Sequence, residues 1–156
     1  MPRDIPTTLV YARKSRILGR LAYYALKLLG VEIPRTVSIG NNFELAHGGV
    51  GVVVHSRTKI GDGVKIYPGV TLGRSDIYQP IENSGFEAII VEDDVILAPG
   101  AKVLCRQGVL VVSRRSVVGA NAVLLQSTGE GEIWAGIPAR PVGKREGSED
   151  RENHQD

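Results

Sequence analysis

Branched or long apolar residues recur at every sixth position through most of this chain, and that period decides its fold. The anchors are Ile33, Ile39 and Leu45; Val54, Ile60, Ile66 and Leu72; Val91, Leu97 and Val103; and Val112, Val118 and Leu124, thirteen in all. Four positions after an anchor a small or β-branched residue often follows, as at Val37, Thr58, Val64, Val70, Val95, Ala101, Ser116, Ala122 and Thr128. Gly40, Gly61, Gly73 and Gly119 stand directly after theirs. A helix repeats about every 3.6 residues and a strand about every 2, so neither explains a spacing of six. A repeated unit of one short strand and one turn does. The anchor points inward, the residue four places on is small enough to share the interior, and glycine permits the turn. Three units close one triangular coil, so thirteen give slightly more than four coils. No coil buries its own inner face; stacking buries them together.

Composition agrees. With 19 glycines and only 5% aromatic residues, the chain suits short strands and tight turns better than a helical bundle. Its 156 residues, 42% hydrophobic and 23% charged, are those of one soluble globular domain. The period breaks in three places. Leu45 and Val54 are nine apart, with an insertion around His47-Gly48-Gly49-Val50-Gly51. Leu72 and Val91 are nineteen apart, so a loop of thirteen extra residues bulges at 74–88. Val103 and Val112 are again nine apart. Loops that interrupt a rigid scaffold commonly carry function. The expected organisation is an N-terminal helical segment over 1–32, repeats over 33–128, a C-terminal cap over 129–145 and a disordered polar tail over 146–156.

Residues 8–30 read as helix, with Leu9, Val10, Ile17, Leu21, Tyr24, Leu28 and Leu29 at helical spacing. Gly19 is a point where this stretch can divide, Gly30 is a stop, and Pro34 prevents continuation. Residues 1–37 carry a local charge of +5, against +2 for the whole chain. The plain reading is a solvated helix face; contact with anionic lipid or an anionic substrate is the alternative. The small net charge gives no sign of a nucleic-acid partner. Arg20 and Lys27 interrupt the apolar stretch, which is too short and charged for a signal peptide or a membrane span. The single cysteine, Cys105, excludes an internal disulfide and fits a reducing, cytoplasmic compartment.

These hexads, together with three segments, resemble the hexapeptide-repeat acyltransferases. The segments are His47-Gly-Gly-Val-Gly-Val-Val-Val-His55, the run from Ile60 to Gly73, and Ala135-Gly-Ile-Pro-Ala-Arg140. The branch resembled is the serine acetyltransferase-like group with its polysaccharide and sugar O-acetyltransferase relatives. The resemblance implies an all-β, left-handed parallel β-helix, a homotrimer with sites between subunits, acetyl-CoA as donor and a histidine base, with no metal. The short N-terminus lacks the long helical domain of the hexameric serine acetyltransferases, so a simple trimer is expected.

Acyl transfer to a hydroxyl needs a base for the hydroxyl proton, and imidazole titrates near neutrality. It also needs donors where oxyanion charge develops, and backbone N–H groups at Gly48-Gly49 are candidates. Of three histidines, His154 lies in the tail and His47 sits at an interruption framed by glycines, where the resemblance also falls, making it the expected catalytic base. His55 stands where other hexads often have glycine and is expected at a corner, binding acceptor, supporting His47, or making a surface or inter-subunit hydrogen bond. Loop residues Asp76, Glu82 and Glu87 are solvated charges or, in one case, an orienter of His47; Asp76 and Glu87 are the acceptor-binding candidates. By the resemblance, small residues such as Ala101, Ala120 and Ala122 flank the pantetheine arm, and Arg140 and Lys144 pair with CoA phosphates. Trp134 is expected to pack over the end of the helix.

Serine acetyltransferases place Asp before the base, where this chain has Ala46, and Arg-His where it has Glu87-Ala88. A glutamate there repels an amino-acid carboxylate. The expected acceptor is therefore a hydroxyl of a sugar or glycan, at the inner face of the membrane if residues 8–30 touch it, with serine the alternative. A zinc carbonic anhydrase on this fold needs three histidines per site, and only His47 and His55 remain. A non-catalytic β-helix scaffold has no need of a glycine-framed histidine, and no nucleotide-binding domain precedes the repeats.

Overall fold

The structure, a computed structural model, describes residues 4–146. His154 and the tail beyond Glu146 lie outside the described residues. Twelve short strands wind as a left-handed coil, and every third strand stacks in parallel on the one a coil below. Face one holds β1 (Ser38–Ile39), β4 (Thr58–Ile60), β7 (Phe86–Val91) and β10 (Gly108–Val112). Face two holds β2 (Glu44–Leu45), β5 (Lys65–Ile66), β8 (Ile96–Leu97) and β11 (Val117–Val118). Face three holds β3 (Val53–Val54), β6 (Thr71–Arg74), β9 (Lys102–Cys105) and β12 (Val123–Leu124).

The register sets the anchors on one another. Ile39, Ile60, Val91 and Val112 form one column. Leu45, Ile66, Leu97 and Val118 form a second, and Val54, Leu72, Val103 and Leu124 a third. All are buried, as are the residues four places after an anchor. Each buried Val, Leu or Ile contributes roughly 1.5–3 kcal/mol of apolar transfer, so the columns hold the coil together. At the far end a hairpin of β13 (Glu132–Gly136) and β14 (Ala139–Lys144) continues face two, with Trp134 above Val118. Its indole N–H donates to Glu132 Oε2 at 2.8 Å.

At the near end the helical stretch is two helices, α1 (Ile5–Ala12) and α2 (Gly19–Leu28). α1 begins earlier than the hydrophobic spacing indicates, because Asp4 caps it by accepting from Thr7 N–H at 2.9 Å. Gly19 does mark the division; a Cβ there would lie 2.4 Å from the Arg13 carbonyl oxygen. An open first coil leaves backbone groups without a coil below, and α1 supplies their partners. Thr7 Oγ1 accepts from Leu45 N–H at 3.0 Å. The Tyr11 hydroxyl donates to the Gly40 carbonyl at 2.8 Å and accepts from Phe43 N–H at 3.0 Å. Buried Arg13 donates to the carbonyls of Pro34 and Val37, and Lys14 to that of Ile39. Burial, then the neighbouring Arg35 charge, lowers the Arg13 pKa to about 10. Part of the basic N-terminal charge thus closes the coil and is not a solvated face.

Candidate active site

His47 sits between β2 and β3, at the corner joining faces two and three. Leu45 is fixed in its column, and the chain then makes a 3-10 turn over Ala46–Gly49. His47 (φ 51°), Gly48 (φ 77°) and Gly49 (φ 63°) all take the left-handed conformation. Histidine tolerates this region better than most residues, and such turns aim a side chain away from the core. The turn is held from below, by Thr7 at Leu45 and by Gly51 N–H donating to the Gly30 carbonyl at 2.7 Å. The His47 imidazole is exposed, with its centroid 5.9 Å from the ring of Tyr67 one coil above. Above the turn this corner is smooth. A Cβ on Gly51 would come 3.5 Å from Gly69 Cα, and one on Gly69 would come 3.5 Å from Gly100 Cα. The result is a column of glycines, flanked by Lys102, whose Nζ donates to the Gly69 carbonyl, and by the Asn121 side chain against Gly100.

His55 lies at the other end of β3, at the corner of faces three and one. Its ring meets Phe86 edge-on at 4.8 Å, and its Nδ1 accepts from Arg57 N–H at 3.1 Å. A ring nitrogen that accepts carries no proton, so in the neutral imidazole Nε2 bears the hydrogen and is a donor. Burial lowers the His55 pKa, and the charges of Arg57 and Arg74 lower it further. His55 borders a cleft of about 360 Å³ lined by Val53, Thr71, Gly73, Arg74, Ile77 and Leu104.

The loop carboxylates differ in kind. Asp76 is buried; it accepts from Gln79 Nε2 at 2.6 Å and from Ser84 Oγ at 2.7 Å, and it pairs with Arg74 at 3.4 Å. The bonds from Ser84 and Gln79 hold its pKa below the ordinary carboxylate value. Asp76 therefore organises the loop, and the expectation that it binds substrate is corrected. Glu82 is exposed, and Glu87 is exposed at a bulge in β7, where the pairing with β10 skips a residue. Among the described residues no loop carboxylate bonds to His47.

Ala101 is fully buried beneath face three, so its methyl group cannot touch a ligand lying outside the coil. That expectation fails because the position four after an anchor points inward. Ala120 is exposed in the turn that stacks on Pro99 and Gly100, at the same corner as His47. Arg140 and Lys144 are exposed on the terminal hairpin, Arg140 donating to the Ala139 carbonyl at 3.1 Å. Sequence reasoning missed Tyr67, Arg57 and Arg74. Each follows a strand anchor by only one to three residues, which places it at a corner beside a histidine.

No protein-family model matches the chain. A stacked coil of hexads with a histidine at an inserted corner is the architecture of the hexapeptide-repeat acyltransferases. The serine O-acetyltransferase of Brucella melitensis, a bacterial transferase hexapeptide repeat, superposes with a TM-score of 0.71 at 25% identity, over 90% of this chain and 55% of that one. The serine acetyltransferase of Brucella abortus in complex with Coenzyme A superposes with a TM-score of 0.67 at 23% identity, over 90% and 54%. By sequence the chain is similar to serine acetyltransferases. It is 34% identical to the Bacillus pumilus serine acetyltransferase over 148 residues, which are 94% of this chain and 64% of the relative. The chain thus spans somewhat less than two thirds of the length of that relative.

Proposed function

We propose that this chain is an O-acetyltransferase that moves an acetyl group from acetyl-CoA to the hydroxyl of serine, with His47 as general base. The carrying observation is the exposed His47 imidazole on a rigid left-handed turn, in a chain similar to serine acetyltransferases. His47 takes the hydroxyl proton as the oxygen attacks the thioester carbonyl carbon. The tetrahedral intermediate then collapses, the C–S bond breaks, and the CoA thiolate takes the proton from the imidazolium. The products are the O-acetyl ester and free CoA. The glycine column above His47 gives the pantetheine arm a path along backbone, with Lys102 and Asn121 beside it and Ala120 at its upper end. Arg140 and Lys144 are the cations for its phosphates.

The reading includes a homotrimer. His47 and His55 occupy opposite corners of face three, so one chain does not bring them together. Face three and its corners expose Val50 (60%), Val53 (43%), Ile77 (78%) and Leu125 (52%). Covering this face around a threefold axis sets the His47 corner of one subunit against the His55 corner of the next. His55 Nε2–H, in the field of Arg57 and Arg74, suits the acceptor carboxylate.

The sugar or glycan acceptor expected from Ala46 and Glu87-Ala88 rested on Glu87 repelling that carboxylate. Arg57 and Arg74 at His55 oppose that repulsion with positive charge, and the matched relatives are serine acetyltransferases. The test is thiol release from acetyl-CoA, comparing kcat/KM for serine with that for sugars, sugar nucleotides and oligosaccharides. Serine is expected to exceed every sugar by at least roughly tenfold, a difference of about 1.4 kcal/mol in transition-state binding. A sugar ahead of serine overturns the assignment of the acceptor.

A further inference from the structure

The N-terminal helices present an apolar stripe that none of the described residues covers. α2 buries Gly19, Ala22 and Leu26. On a helix turning 100° per residue, Leu21, Tyr24 and Leu28 project from a different side, and Ile17 in the preceding turn extends their line. Ile17 and Leu28 are each 90% exposed, Leu21 69% and Tyr24 58%. Arg16, Arg20 and Lys27 are exposed, and on α2 Arg20 and Lys27 fall along one flank of this stripe. From Ile5 to Val31 the chain contains no acidic residue; Lys27 does pair with Glu32 just beyond, at 3.2 Å.

We propose that this face lies on an anionic membrane surface, with the stripe at the boundary of headgroups and acyl chains and Arg16, Arg20 and Lys27 against lipid phosphates. Charge decides between occupants. A second copy of the same face sets cations against cations, whereas anionic lipid supplies the opposite sign. Tyr24 suits the boundary because its ring is apolar and its hydroxyl polar. Among the described residues no helix is long and apolar enough to cross a membrane, so the contact is in plane. One helix of ten residues holds a bilayer weakly. Rotation about a threefold axis keeps equivalent points at one height, so stripes that point along the axis offer three such helices to one surface. Only that gain in avidity rests on the trimer reading.

The test is co-sedimentation of the full chain with vesicles, either phosphatidylglycerol and phosphatidylcholine in equal parts or phosphatidylcholine alone. Association with the anionic vesicles is expected to be at least roughly tenfold stronger, and to weaken with added salt. The double variant Leu21→Glu/Leu28→Glu is expected to remain in the supernatant. Arg16→Gln/Arg20→Gln is expected to fall to the level seen on phosphatidylcholine. These side chains are exposed, so melting temperature and mass in solution should match the parent protein. Parent protein that ignores both vesicles, or a Leu21→Glu/Leu28→Glu variant that pellets like the parent, overturns the proposal. So does growth in mass with concentration that the same variant abolishes, since a second copy then covers the stripe. The readout does not involve acetyl transfer, so it fails or succeeds separately from the proposed activity.

Discussion

Thr7→Val should destabilise the protein by about 2 kcal/mol and slow its chemistry, although Thr7 lies forty residues before His47. The Thr7 side chain is buried, and its Oγ1 accepts the Leu45 N–H at 3.0 Å. Leu45 is the last residue before the His47 turn. Valine keeps the shape of threonine and replaces only the hydroxyl. The Leu45 N–H belongs to the lowest strand of face two, whose ladder neighbour is β5 above, so among the described residues no coil beneath offers a substitute. Leaving one buried donor unpaired costs about 1–3 kcal/mol. For a chain of this size each kcal/mol lowers Tm by roughly 2–4 °C, so a drop of roughly 4–8 °C is expected. Thermal unfolding at fixed protein concentration measures it. Thr7→Ser, which keeps the hydroxyl, should recover most of the loss. Thr8→Ala removes only an exposed bond to Asp4 and should stay within about 0.5 kcal/mol of the parent. A Thr7→Val protein as stable as Thr8→Ala refutes the claim that α1 closes the coil through its polar side chains.

Gly49→Ala should cost about 1–3 kcal/mol, because φ is +63° and the new Cβ would stand 2.7 Å from Leu45 Cδ2. Gly108→Ala has a similar φ of +66° and open space, so chemical denaturation should show only the backbone share there, about 1 kcal/mol. His55 has a folded pKa below its ordinary 6.5. The unfolded chain therefore takes up this proton first as pH falls, and the His55 contribution to stability, complete above pH 6.5, is lost as pH drops through the folded value. His55→Gln should flatten the dependence of Tm on pH below 6.5; an unchanged slope contradicts the assignment. Sedimentation equilibrium should give a trimer mass, and Val53→Glu on face three should lower it; a stable, active monomer refutes the shared site.

The coil was legible in the sequence because its code is local. An anchor such as Ile66 needs only its partners six positions away and one coil away to be buried, and the spacing states both. The turn that carries His47 was legible because an insertion framed by glycines breaks that spacing. What was not legible depends on contacts across the fold. Asp76 looked like an exposed loop acid, but Ser84 and Gln79 fold back to bind it. Arg13 looked like one more surface cation, yet the open carbonyls of Pro34 and Val37, more than twenty residues on, draw it inward. Ala101 was misread because its small size fits both the interior and a ligand path; its place four after Leu97 decides for the interior.

The central claim is that His47 removes the acceptor proton, and thiol release from acetyl-CoA with serine tests it most directly. His47→Ala should lower kcat by about 10²–10⁴-fold, the usual range for loss of a general base. Its KM for acetyl-CoA and its Tm should change little, because the imidazole is exposed and tilted against the ring of Tyr67, with centroids 5.9 Å apart. A His47→Ala protein that turns over serine at the parent rate contradicts the account.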